Sequence, residues 1–321
     1  MKKTIIIALS IGCFLNSSCE KEEIPVLKPQ GISANTQVEM GADYANQLFF
    51  NIENHQIVLA NNRESWDLAF ECGNEGKHLL INSAKFSSCA KTNETDLLNV
   101  TASEGLVFNY DHQSGFLDST AVGNWWEDNS VYVLNKGVDL NGNQLGFIKF
   151  KMVTVDQNQY EIHWSELNSN NILSTLIPKS STTNFVYFSF VQNQTFQIEP
   201  DKNSWQLCFT TYTHIFPDHT PYLVCGVLSN RNNVQVSKST IPFSDFTYSQ
   251  VSALQFDTKI DNIGYTWKEY DFDQGLYVVN SNLTYIIKNQ NNQYFKLRFT
   301  DFYTISGVKG APQFEIEELI P

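Results

Sequence analysis

The stretch Trp205 to Asn230, WQLCFTTYTHIFPDHTPYLVCGVLSN, decides the fold class. It opens with an alternating run in which Trp205, Leu207 and Phe209 share one face, and it turns through Pro217 and Asp218. A second apolar run, Tyr222 to Leu228, follows. Alternation, a turn rich in breakers and a second run read as a β-hairpin. His214 and His219 stand near the turn, and Cys208 and Cys225 stand in the two runs. The hairpin tip is therefore polar and able to hold a ligand.

The same period of two recurs elsewhere. Phe295, Leu297 and Phe299 alternate with Lys296 and Arg298, and Ile148, Phe150 and Met152 alternate with Lys149 and Lys151. These patterns predict half-buried strands. Asn141-Gly142 and Asn291-Asn292 stand between such strands as hairpin turns. No long segment of helical period follows the N-terminal stretch. The expected fold class is all-β, with two tandem antiparallel β-sheet domains.

The tandem reading rests on an internal repeat. Phe49-Phe50-Asn51 leads to Ser65-Trp66-Asp67-Leu68-Ala69-Phe70, as Phe188-Ser189-Phe190 leads to Ser204-Trp205-Gln206-Leu207-Cys208-Phe209, at an offset of 139 residues. Later matches keep the order: Trp126 with Trp267, Val131–Leu134 with Leu283–Ile287, Phe147–Phe150 with Lys296–Phe299, and Tyr160–Ile162 with Phe314–Ile316. The expected division is a signal at 1–18, a flexible tether at 19–40, domains at 41–168 and 183–321, and a polar linker at 169–182.

The N-terminus gives an address. Lys2 and Lys3 precede an apolar stretch, Ile5 to Leu15, and then Ser17-Ser18-Cys19. That is an export signal, too short to span a bilayer, with a cysteine where a bacterial lipobox carries its lipid. Cys19 is the expected lipidation site. Lys21-Glu22-Glu23 resembles an acidic tether that sends lipoproteins to the outside of the outer membrane; an ordinary solvated linker reads equally well, and the periplasmic face stays open. Of 21 Lys and Arg, 19 remain after Lys2 and Lys3 are removed, against 34 Asp and Glu. So acidic a chain repels phosphate backbones, which argues against a nucleic-acid partner. Cys72, Cys89, Cys208 and Cys225 remain beyond the lipid site, spaced 17 apart within each half. Export to an oxidising compartment favours one disulfide per half over buried free thiols.

Catalytic motifs are not evident: there is no GxSxG elbow, HExxH helix or glycine-rich phosphate loop. Asp139–Asn143 fits a hairpin turn better than a calcium loop, and Asp271 with Asp273 fits an exposed turn better than a catalytic pair. Most of the six histidines read as surface or satisfied core residues. His214 and His219 differ, being flanked by Tyr212, Phe216 and Tyr222. An imidazole between aromatic walls is what a haem iron requires, because the neutral nitrogen donates and the walls exclude water.

The C-terminal copy resembles the HmuY-like family of haem-binding bacterial lipoproteins. The resemblance is carried by Trp205–Phe209, by Tyr212–Phe216 with Tyr222–Val224, by Ile263-Gly264-Tyr265-Thr266-Trp267-Lys268, and by Tyr294–Tyr303 with Gly307, Lys309-Gly310 and Pro312–Glu315. The N-terminal copy matches more faintly, through Tyr44–Phe50 and Trp66–Phe70. The resemblance implies an all-β fold on a lipid tether, haem held at one end of the sheets by two side chains, and delivery to an outer-membrane haem transporter. On this expectation the protein is a surface-anchored, non-catalytic haem-binding lipoprotein for iron acquisition. His214 is an axial ligand, His219 a second ligand or rim donor, Tyr212, Phe216 and Tyr222 are walls, and Arg231 or Lys238 meets propionates. The rival is a β-rich adhesion or protein-interaction lipoprotein in which the histidines are incidental.

Overall fold

The computed structural model describes residues 36–321. The export signal, Cys19 and the tether up to residue 35 lie outside the described residues. The first half supplies β1 (Thr36–Gln37), β2 (Asn46–Asn51), β3 (Gln56–Asn62), β4 (Leu68–Glu71), β5 (Leu79–Ile81), β6 (Ser88–Lys91), β7 (Tyr132–Asn135), β8 (Phe147–Val155) and β9 (Gln159–Glu166). The second supplies β10 (Leu173–Pro178), β11 (Phe185–Ser189), β12 (Gln194–Phe196), β13 (Leu207–Ile215), β14 (Pro221–Ser229), β15 (Gln235–Ser239), β16 (Lys268–Asp271), β17 (Leu276–Val279), β18 (Thr284–Lys288), β19 (Tyr294–Tyr303) and β20 (Lys309–Leu319). All described pairings between these strands are antiparallel, so the all-β expectation is met.

Four main sheets form, ordered β10-β9-β8-β7-β6, β12-β11-β4-β5, β14-β13-β2-β3 and β1-β20-β19-β18-β15. They stack in that sequence, with a core in each gap. Phe70, Tyr132, Phe150, Tyr160 and Phe188 fill the first gap. Phe49, Trp66, Phe185, Trp205 and Cys208 fill the middle one. Phe50, Phe209, Trp267, Tyr285, Phe299 and Phe314 fill the third. The inner sheets are buried on both faces, so neighbouring residues enter different cores: Phe49 the middle, Phe50 the third. This is why Leu48–Phe50 and Leu68–Phe70 read as continuous apolar runs rather than alternation.

The sheet order corrects the tandem-domain expectation. β2 pairs with β13, with Phe49 opposite Cys208, and β11 pairs with β4, with Phe188 opposite Leu68. β1 pairs with β20, and β10 with β9. Each half thus lends its first three strands to the other half's sheets. The proposed linker at 169–182 contains β10, the first strand of the second repeat. The proposed tether also ends early. The Val38 and Met40 amides donate to Pro312 and Gly310 carbonyls, and both side chains are buried.

Matched polar groups hold the exchange. The Asn82 amide donates to the Arg63 and Trp66 carbonyls, and the Asn230 amide to those of Lys202 and Trp205, the same acceptors 139 residues on. Asp67 accepts the Phe190 amide from the other half, as Gln206 accepts that of Ile52. The expected disulfides do not form: all four cysteines are free. Cys89 lies in the first core and Cys208 in the middle one. The Cys72 thiol sits beside Thr183, and Cys225 faces the Met40 thioether at 3.7 Å. The sheet stack therefore separates the partners that equal spacing suggested.

Candidate functional site

β13 and β14 pair over nine residues, from Leu207 opposite Ser229 to Ile215 opposite Pro221. The tip is held by its own polar groups. Phe216 N–H donates to the Thr220 carbonyl, His219 N–H to that of Phe216, and Thr220 N–H to the Asp218 carboxylate. His219 occupies the left-handed region, φ 66°, and is exposed. Its position is that of a turn residue.

His214 lies one step below the tip and is half-buried. Phe216 and Tyr265 meet its ring edge-on, each at 5.0 Å between centroids. Its Nδ1 is buried and has no hydrogen-bond partner. Burial pushes its pKa below the ordinary histidine value; Asp261 opposes that shift and His112 adds to it. The ring is thus neutral near pH 7, the form that donates to a metal. Tyr222 is 55% exposed, with its ring 6.4 Å from that of Phe216. Tyr212 is buried beneath this end. The structure therefore groups His214, Phe216 and Tyr222, with Tyr212 as floor and His219 on the turn.

Three residues here were not singled out as site residues by sequence reasoning. His112 arrives on a loop from the first half. Gln113 ties that loop to the strand, its amide donating to the Ile215 carbonyl at 3.3 Å and accepting the Ile215 N–H at 3.2 Å. Tyr265 and Asp261 arrive on the segment that bridges to β14 through Val227 and Gly264. That approach needs two glycines: a Cβ on Gly226 would stand 2.5 Å from the Gly264 carbonyl oxygen, and Gly264 itself has φ +65°. Nothing local marks His112: its ring hydrogen-bonds to nearby Ser114, and the contact that sets its loop against the strand, Gln113 with Ile215, spans about a hundred residues.

A second feature lies between the inner sheets, a cavity of about 130 Å³ with Phe49, Trp66, Phe185, Trp205, Glu199 and Arg231 in its wall. Arg231 therefore faces the interior rather than the hairpin tip. Lys238 stands on β15 with its ammonium over the Tyr285 ring. The cavity is below the roughly 300–1,000 Å³ of pockets that enclose drug-sized ligands, so a porphyrin does not fit inside it. Among the described residues, no three His, Cys, Asp or Glu side chains form a metal-holding group, and no helix is long and apolar enough to cross a membrane.

The family model described as HmuY protein matches residues 43–183 and 218–316. Among solved structures, the apo HmuY analogue TFO of Tannerella forsythia is 9% identical over 90% of this chain and 97% of its own, with a TM-score of 0.26. Apo PinO from Porphyromonas gingivitis is 8% identical over 89% of this chain and 97% of its own, TM-score 0.25. A Bacteroides vulgatus protein described as a candidate HmuY-like haem-binding protein is 13% identical, covering 53% of this chain and 90% of that one, TM-score 0.22. No curated protein matches the chain.

Proposed function

The chain belongs to the HmuY family, and from that premise we propose that it binds haem at the end of the β13–β14 hairpin, as a carrier rather than an enzyme. The observation that carries this reading is the His214 ring, neutral, walled by Phe216 and Tyr265, with a buried nitrogen that no protein group uses. Bound haem would supply an iron that an imidazole nitrogen can ligate. His214 is the first ligand. His112, tied beside it through Gln113, is the second, in place of the exposed His219. Phe216 and Tyr222 cover the porphyrin edge, and Tyr212 supports them from below.

Lipid attachment at Cys19 would place the protein on the outer membrane, with its cargo passed to a haem transporter. The acidic composition, 34 Asp and Glu against 21 Lys and Arg, disfavours nucleic acid. The test is a haemin titration of the soluble form beginning after Cys19, read by Soret absorbance. Saturation at a single equivalent, lost in His214→Ala and kept in His219→Ala, is expected. A featureless, non-saturating response in the folded wild type would remove the reading and favour a haem-free interaction module.

A further inference from the structure

The central cavity is a product of the strand exchange, since its wall draws on both halves. Phe49 and Trp66 come from the first half, and Phe185, Ile198 and Trp205 from the second. These five give it an apolar body. At its polar side stand Glu199, Asp111 and Arg231. Both acids are already engaged with backbone. Glu199 accepts the Phe185 amide and the Asn184 side chain, and Asp111 accepts the Ile81 and Ala121 amides.

Two donors in this wall are left over. The Arg231 guanidinium makes no hydrogen bond or ion pair with any described residue; the Phe185 ring lies 5.5 Å from it, and Asp111 and Glu199 act on it only electrostatically, from beyond ion-pair distance. The Trp205 indole N–H is buried without a partner, on a side chain 6% exposed. Its counterpart in the other half is satisfied, because Trp66 N–H donates to Gln47 at 3.1 Å. A buried, unsatisfied donor costs about 1–3 kcal/mol, so an acceptor at this place is favoured. Guanidinium prefers a planar, bidentate acceptor, which a carboxylate provides. The volume limits the rest of the molecule: about 130 Å³ is close to the 150 Å³ cavity that holds a benzene ring.

We propose that the cavity between the inner sheets binds a small aromatic carboxylate, with its carboxylate on Arg231 and its ring against Phe49, Trp66 and Trp205. The cavity wall also includes His112, Gln113 and Tyr212, so it adjoins the haem end, but the proposal does not depend on the haem reading.

Benzoate is the probe, with benzyl alcohol as its uncharged control. Binding is followed by the indole N–H resonance of Trp205, identified by its loss in Trp205→Phe. Benzoate should shift that resonance saturably, and benzyl alcohol should need at least tenfold more. Arg231→Met should abolish the preference for benzoate, and Cys208→Leu, which fills the cavity, should abolish both responses. Thermal melts confirm that each variant folds; a variant that does not fold is replaced by Arg231→Lys, which keeps charge but loses the planar fork and should weaken benzoate at least threefold. No saturable shift in wild type, equal affinity for the two probes, or unchanged benzoate binding in a folded Arg231 variant would overturn the proposal.

Discussion

At the scale of single residues, buried polar groups do the specifying. Asp67 pairs with Lys85 at 2.5 Å and also accepts the Phe190 amide, with both side chains nearly inaccessible. Asp67→Ala leaves a buried ammonium and a buried amide unpaired, a loss of about 3–5 kcal/mol. Urea unfolding followed by tryptophan fluorescence should show it; a loss under about 1 kcal/mol would mean that the pair is not buried as described. Glu199 behaves differently, because burial raises its carboxyl to about 7. The folded state therefore holds that proton more tightly than the unfolded chain. Stability from this group is complete below the ordinary carboxylate range and is lost as pH rises through about 7. The span corresponds to about 3 kcal/mol. Between pH 5 and pH 8 the wild type should lose stability relative to Glu199→Gln, and parallel pH curves for the two would contradict the assignment.

At the scale of elements, the hairpin that opened the sequence reading is present with the expected turn, and so are the turns at Gly142 and Asn292. Local alternation sufficed for these because each needs only its own neighbours. The lysines on β8 and β19 show where such reading stops. Alternation placed Lys149 and Lys296 on a polar face, yet both are buried. Long loops cover that face, and the ammonium groups donate to the Val100, Phe243 and Phe246 carbonyls. The repeat alignment also slipped. Pairing sets Lys149 opposite Val133 and Lys296 opposite Ile286, so Lys149 matches Lys296, whereas the sequence match paired Phe147 with it. A shift of two keeps every side chain on its face, which is why hydrophobicity could not detect it. The cysteines failed for a related reason, since equal spacing carries no information about which core each enters. With no reductant present, Ellman titration in denaturant should count Cys72, Cys89, Cys208 and Cys225 all as free thiols. Two fewer would restore a disulfide.

At the scale of the whole molecule, the exchange of strands between the halves was not legible in the sequence. β2 and β11 share little beyond Phe49 and Phe188 at the repeat offset, and their apolar residues suit either partner, so sequence cannot say which they choose. The exchange predicts interdependence. A fragment ending at Ser169 lacks β10–β12, and the remainder lacks β1–β3. Neither should unfold cooperatively alone, and co-refolding should restore a single transition. Independent folding of either piece would contradict the exchanged topology. The same arrangement brings His112 of one half beside His214 of the other, which a reading of either half alone could not reveal. It is also why sequence proximity points to the tip histidine His219 instead.

That juxtaposition can be tested by electron paramagnetic resonance of the ferric haem complex formed by the wild type, His112→Ala, His214→Ala and His219→Ala. The account predicts a low-spin, two-imidazole signal in the wild type and in His219→Ala. It predicts conversion to high spin, or loss of the complex, when either His112 or His214 is removed. A low-spin signal that survives both of those substitutions, or that disappears only with His219, would contradict it.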